Sequence, residues 1–333
     1  MIFLLTALTA FAILLLGMPS LIDYLKKLKF GQTIYTLGPQ AHLSKQGTPN
    51  MGGLLIVAAT LLSTAGFALY EGIAARLFPL ILLALGSMVI GFSDDYIKDV
   101  KKHHEGLKPM QKILSQTIAG LLFSAYCYFS MGSLIHLPFT KTELDLGLFY
   151  IPLMTLLVIF MTNSANLQDG VDGILSSVSA VGGITFGAIA LMLSGDNASQ
   201  LYRAMSFAGF ALVGACGGFL VFNRHPAKIM MGDTGSMFIG GVFVGIAMLL
   251  RLQIWLIPIC FTMIMSSLSV IMQRVYFKLT HGKRIFKMSP IHHHFELSGM
   301  SENQIVRMYA ITTLVLSVLA MLAILPLLAN GGQ

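Results

Sequence analysis

The sequence predicts an all-α, polytopic membrane protein with about ten transmembrane helices and both termini on the outer side. Three observations carry that reading. The 333 residues are 56% hydrophobic and only 11% charged, the mean hydropathy is +0.79, and apolar stretches long enough to cross a bilayer recur along the whole chain. A soluble domain carries about 25% charged residues, whereas a spanning helix needs about 20 mostly apolar ones. Hydrocarbon offers the backbone no hydrogen-bond partners, so such stretches fold as helices.

The stretches fall near residues 2–24, 52–70, 75–93, 113–135, 148–164, 173–193, 203–222, 235–250, 252–275 and 305–328. The first, from Ile2 to Gly17, has neither a basic leader nor a small-residue cleavage site, and reads as a retained helix rather than a signal peptide. Polar or Gly/Pro-rich segments separate the others. Cys127, Cys216 and Cys260 each fall inside a span without CxxC or Cys/His spacing, which argues against disulfides and structural zinc. No internal repeat or linker marks a second domain, so residues 1–333 read as one integral-membrane domain.

Ten spans assign every loop to a side. Arg76, Lys141, Arg203 and Arg251 fall on one side, and the other seventeen of the 21 Lys and Arg fall opposite. Basic residues concentrate in cytoplasmic loops, so the seventeen-residue side is expected to be cytoplasmic and both termini outside. The net charge of +7 then reports topology, and nucleic-acid binding is not expected. The inner loops, roughly 25–51, 94–112, 165–172, 223–234 and 276–304, hold nearly every polar cluster; the outer loops carry no concentrated chemistry.

Those clusters have both a bland and a chemical reading. Asp94 and Asp95 end the third span and are followed by Lys98, Lys101, Lys102, Lys108 and Lys112: a solvated helix end with stop-transfer lysines, or carboxylates for a magnesium ion with lysines for phosphate oxygens. The stretch from Asn166 to Gly173 offers Asp169 and Asp172 at i, i+3 beside glycines, more than one helix cap requires. Asn223 to Ser236 contains Gly232-Asp233-Thr234-Gly235-Ser236, a turn and cap, or a presentation of Asp233 to a metal near backbone N–H groups. The run His292-His293-His294 suits phosphate better than zinc, because adjacent side chains do not all converge on one ion. The segment from Lys45 to Gly53, which includes Thr48 and Asn50, reads as a turn into the second span. A transporter would hold its charges near the bilayer midplane rather than at span ends, and the HExxH of a metalloprotease is absent. Joint confinement to one face favours a phosphate-handling site.

Read in order, Gly47-Thr48-Pro49-Asn50-Met51-Gly52-Gly53, Asp94-Asp95-Tyr96-Ile97-Lys98, Asn166 to Gly173, Asn223 to Ser236 and Pro290 to Glu296 resemble the phospho-N-acetylmuramoyl-pentapeptide transferases, the MraY family, within the polyprenyl-phosphate N-acetylhexosamine-1-phosphate transferase superfamily. The resemblance covers essentially the full length, and the Pro-Ile-His-His-His-Phe-Glu run is its most specific part. It implies transfer of phospho-MurNAc-pentapeptide from UDP-MurNAc-pentapeptide to undecaprenyl phosphate, with Mg2+, in the bacterial cytoplasmic membrane among membrane lipid, and it is compatible with a homodimer. It implies Asp94, Asp95, Asp172 and Asp233 as essential acids and the metal set, Asp233 being the favoured direct ligand. Lys98, His292, His293 and His294 match positions for phosphate handling or catalysis. Lys45, Thr48, Lys112, Asn166, Asp169, Gly173, Asn223 and Met230 match substrate-binding positions. Two positions depart from the family: Asn50 stands where Thr is usual and Met230 where Phe is usual, and Met covers an aromatic face more weakly than Phe. For the lipid, the reading expects a groove between apolar helices beside Asp94 and Lys98.

Overall fold

The computed structural model describes residues 1–28, 47–99, 106–195 and 200–328. The helices run α1 (Ile2–Lys27), α2 (Gly53–Tyr70), α3 (Phe78–Asp99), α4 (Pro109–Met131), α5 (Tyr150–Gln168), α6 (Ile174–Ser194), α7 (Gln200–Asn223), α8 (Gly232–Leu249), α9 (Leu256–Ile259), α10 (Phe261–Leu279), α11 (Ile291–Glu296) and α12 (Glu302–Ala323). Among the described residues nine helices are long and apolar enough to cross a membrane, and a tenth span exists if a bent pair is counted as one. That pair falls on the apolar stretch near 252–275, which the structure breaks at Cys260: its halves, Gln253–Ile259 and Phe261–Leu279, meet at 86°. Hydropathy averages over such a break because both halves are apolar.

Burial sorts the bundle. The apolar window of α8 is 89% buried inside the protein, against 28% for α1 and α4, so α8 is the central post and α1 and α4 are rim helices facing lipid. Small residues let the helices approach closely, as is usual where lipid gives no hydrophobic drive for association. A side chain at Gly240 of α8 would strike Thr162 of α5, and one at Gly241 would strike Ser87 of α3.

One end of the bundle is closed by an antiparallel hairpin, β1 (Leu134–His136) and β2 (Glu143–Asp145), with Ile135 opposite Leu144. His136 N donates to Arg251 O at 3.0 Å and Phe139 N to Ala323 O at 3.1 Å, tying the hairpin to the ends of α8 and α12. Arg203 pairs with Glu71 at the same end, and Arg76 Nε donates to Gln200 at 3.2 Å. The four basic residues that the sequence set apart therefore gather here, but with more chemistry than short outer loops suggested: His136 and Arg251 both face Glu143. Burial pushes the His136 pKa down, opposed by Glu143 and assisted by Arg251.

Candidate active site

At the opposite end, α3 runs beyond the point where its hydropathy ends, so Asp94, Asp95, Lys98 and Asp99 occupy its last turns. Asp94 and Lys98, at i and i+4, face the same way, and Asp94 Oδ2 lies 2.5 Å from Lys98 Nζ. The other oxygen of Asp94 accepts from Leu107 N at 2.7 Å, folding the chain before α4 back over α3. α4 begins at Pro109, earlier than its apolar stretch, which places Lys112 in its first turn.

Lys112 and Lys98 converge on Asp233, at the start of α8. Asp233 Oδ2 accepts from Lys112 Nζ at 2.9 Å and from Lys98 Nζ at 3.2 Å, and its Oδ1 accepts from Asn166 Nδ2 at 2.6 Å. Lys112 Nζ is also 3.6 Å from Asp94 Oδ2. Two carboxylates that would repel are thus held together by two shared ammonium groups. Asp94 and Lys98 of α3, Lys112 of α4, Asn166 of α5 and Asp233 of α8 thus come together from four helices.

Asp95 is used differently. Its Oδ2 accepts from Thr234 N at 2.8 Å and Thr234 Oγ1 at 2.6 Å, and its Oδ1 accepts from Asp233 N at 3.1 Å and from Asn50 Nδ2 at 3.5 Å. The first N–H groups of a helix have no intrahelical partner, and a carboxylate satisfies them well. Asp95 therefore caps α8 from another helix and holds the residue that presents Asp233. Two glycines make this approach feasible: a Cβ at Gly91 would land on the carbonyl of Asp233, and Gly232 has φ +76° with Asp95 Oδ2 2.6 Å from where its Cβ would stand.

A second cluster surrounds Asp172. Its Oδ2 accepts from Ala227 N at 3.0 Å and lies 3.1 Å from His225 Nδ1; its backbone N donates to Glu302 Oε2 at 3.1 Å. His225 Nδ1 is also 3.4 Å from Glu302 Oε1. The sequence reading placed Asp172 in one metal set with Asp94, Asp95 and Asp233, whereas in the fold it groups with His225 and Glu302. Asn223 joins the two loops here: its Oδ1 accepts from Gly173 N at 3.0 Å and Ser176 Oγ at 3.3 Å, and its Nδ2 donates to Ile229 O at 2.9 Å. Met230 is 7% exposed, and its backbone exchanges hydrogen bonds with Pro49 and Gly52, so the segment carrying Thr48 and Asn50 docks against the start of α8. Lys45 lies outside the described residues.

The three histidines share the single helical turn of α11 and diverge, as neighbours on a helix must. His292 is wholly buried and packs on Gly170, where a Cβ would collide with its ring; this brings the Asp169–Gly170 turn and the histidine run together. His293 Nδ1 lies 2.5 Å from Glu296 Oε2, and His294 Nδ1 accepts from Lys287 N at 3.1 Å.

Asp99, His225, Thr234 and Glu302 were not singled out in the sequence. Asp99, whose Oδ2 accepts from Asn50 Nδ2 at 2.8 Å, carried a signal in its i+4 spacing from Asp95. Glu302 carried none, since it looks like an ordinary first-turn acid behind the Ser301 cap.

For a metal, Asp94 and Asp233 offer carboxylate oxygens, the hard donors that Mg2+ takes, on a surface whose charge is otherwise balanced by lysine. The donor chemistry fits that ion.

The family model described as glycosyl transferase family 4 matches residues 77–251, the stretch from α3 to the end of α8. A phospho-N-acetylmuramoyl-pentapeptide-transferase of Bacillus velezensis is 43% identical over 322 residues, covering 96% of both chains. Similarly named proteins of Thermoanaerobacter pseudethanolicus and Listeria monocytogenes are 42% identical over 93% of this chain and 95% of the relative, and 41% identical over 89% and 90%.

Proposed function

The chain belongs to the phospho-N-acetylmuramoyl-pentapeptide transferase family, and on that premise we propose that it transfers phospho-MurNAc-pentapeptide from UDP-MurNAc-pentapeptide to undecaprenyl phosphate, giving lipid I and UMP, at a Mg2+-dependent site on the cytoplasmic face of the bacterial inner membrane. The observation that carries this reading is the pairing of Asp94 and Asp233 through Lys98 and Lys112. The Lys/Arg asymmetry between the loops supports the orientation.

Asp94 and Asp233 would hold Mg2+, which when bound supplies positive charge to the diphosphate and to the leaving phosphate of UMP. In the transfer, an oxygen of the acceptor phosphate bonds to the sugar-linked phosphorus, and the bond from that phosphorus to the oxygen of UMP breaks. A phosphate monoester has a second pKa of about 6 and is largely dianionic at neutral pH. The reaction therefore needs alignment of two anions more than it needs a base. Lys98 and Lys112 supply the counter-charge, Asn166 fixes the carboxylate of Asp233, and Asp95 fixes the helix that carries it. Asp172, Asn223 and Gly173 shape the pocket for the uridine end. The histidine turn backs that loop through His292 and leaves His293 and His294 for phosphate or sugar contact.

The test is UMP release by purified protein with undecaprenyl phosphate and Mg2+, comparing UDP-MurNAc-pentapeptide with UDP-N-acetylglucosamine, with Asp233→Ala as control. Lipid-dependent turnover of the muramoyl donor alone, lost in the control, supports the assignment; turnover of only the other donor moves the chain to a sister specificity. In a pH-rate comparison, loss of an acid limb with a carboxylate-like pKa in Asp94→Asn with unchanged metal affinity would make Asp94 a base instead of an organiser.

A further inference from the structure

Resting on the transferase reading, we propose that Glu302 and His225 are positioning residues for the nucleotide donor. They fix the spacing of the two segments that wall the uridine end of the site, the turn over residues 169–173 before α6 and the stretch from Asn223 to Met230 between α7 and α8.

Those walls are clamped at two points. The first is Asn223, which accepts from Gly173 N and Ser176 Oγ and donates to Ile229 O. The second is centred on Asp172, whose Oδ2 accepts from Ala227 N at 3.0 Å and faces His225 Nδ1 at 3.1 Å. Carboxylate oxygens only accept, so that nitrogen carries the hydrogen. Glu302 closes the second clamp: its Oε2 accepts from the backbone N of Asp172 at 3.1 Å, and its Oε1 lies 3.4 Å from the same His225 nitrogen. One residue of α12 thus holds the backbone of one wall and a side chain of the other.

The helix that carries Glu302 is capped without it. Ser301 Oγ accepts from Gln304 N at 3.4 Å, while Gln304 Oε1 accepts from Ser301 N at 2.8 Å. An acid behind such a cap is ordinarily a solvated first-turn residue that only complements the helix dipole. The side chain of Glu302 is instead 10% exposed and that of Asp172 1%, with His225 at the rim at 41%. A carboxylate withdrawn from water and bonded to a backbone N–H 130 residues away constrains a loop far more than an exposed ion pair does. Two of the contacts end on backbone atoms, at Asp172 and Ala227, so they set where the chain lies as well as how a side chain turns. Walls ordered in advance reduce the ordering that donor binding must supply. The effect therefore falls on donor affinity, while the phosphoryl step aligned by Asp233 and the lysines is left alone.

The test uses the full-length protein in nanodiscs, with UMP binding at equilibrium in Mg2+ without acceptor, and steady-state UMP release with varied UDP-MurNAc-pentapeptide. Glu302→Ala is expected to weaken UMP binding about tenfold and raise donor KM by the same factor, with kcat within about twofold of wild type. His225→Ala should weaken both about threefold, and His225→Asn, whose amide N–H takes the place of Nδ1, should recover most of that loss. Because both residues act on Asp172, the double Ala variant should fall short of the product of the single effects. Thr313→Val removes the 3.4 Å contact with Thr262 further along α12; it loosens the helix away from the clamp and should leave donor KM unchanged. Folded Glu302→Ala with wild-type UMP affinity and donor KM overturns the proposal, as does a loss of kcat alone, or an equal rise in KM in Thr313→Val. Should Glu302→Ala fail to fold, the His225 pair decides: equal KM for His225→Ala and wild type sinks the assignment. A wild type that binds UMP but turns over no acceptor counts against the transferase reading, while the UMP affinities of the variants still decide the clamp.

Discussion

Asp95→Asn separates two roles for a carboxylate that looks like its neighbour in the sequence. In the fold both Asp95 oxygens accept hydrogen bonds from the start of α8, the shortest being 2.6 Å from Thr234 Oγ1 and 2.8 Å from Thr234 N. Asparagine keeps one acceptor but turns an NH2 toward N–H donors and removes the charge. A hydrogen bond to a charged group contributes about 1.5–3 kcal/mol, and a helix cap about 1 kcal/mol. Losing one such bond and weakening the cap should cost about 3 kcal/mol. Cys127, Cys216 and Cys260 are buried and free, so a thiol-reactive fluorophore reads unfolding directly. With EDTA present, Asp95→Asn should unfold at a clearly lower temperature than wild type, and Thr234→Val should be destabilised too, with the double variant less than additive. If Asp95 were instead a metal ligand, removing its charge from a metal-free, crowded carboxylate site would leave stability unchanged or raise it. That result, with activity lost, refutes the capping argument.

Asn223→Ala leaves Gly173 N, Ser176 Oγ and Ile229 O without their partner, and should cost about 2–4 kcal/mol in the thiol assay and raise KM for the nucleotide donor. Gly91→Ala puts a methyl against the Asp233 carbonyl; it should lose activity and about 1–3 kcal/mol, whereas Gly86→Ala, with its nearest neighbour 3.9 Å away, should behave as wild type. At the hairpin, the depressed pKa of His136 means that the unfolded state takes up its proton first. Stability from this group is complete above about pH 6.5 and is lost as pH falls through the folded pKa; His136→Gln should flatten that acid limb in unfolding midpoints measured from pH 8 to 5.

How much was legible varies by element. Span number and loop assignment came from hydropathy, because the bilayer penalises every unsatisfied polar group and so writes helix length into composition. The break at Cys260 escaped, since both sides of it are apolar. Asp94 and Lys98 could be paired by helical spacing alone. The separation of Asp95 from Asp94 could not: neighbours in sequence point about 100° apart on a helix, and what each meets depends on α8, 139 residues away from Asp95 at Thr234. The same holds for Asp172, whose partners His225 and Glu302 lie 53 and 130 residues on.

The sequence by itself therefore determined an apolar helical bundle with most of its lysines, its paired aspartates and its histidine run at one end, because burial in lipid and charge at its boundary are local properties of composition. Only the tertiary structure decided which acid pairs with lysine, which caps a helix and which joins a histidine. Those roles arise from the close crossing of α3, α5 and α8, which glycine makes feasible and no local pattern encodes.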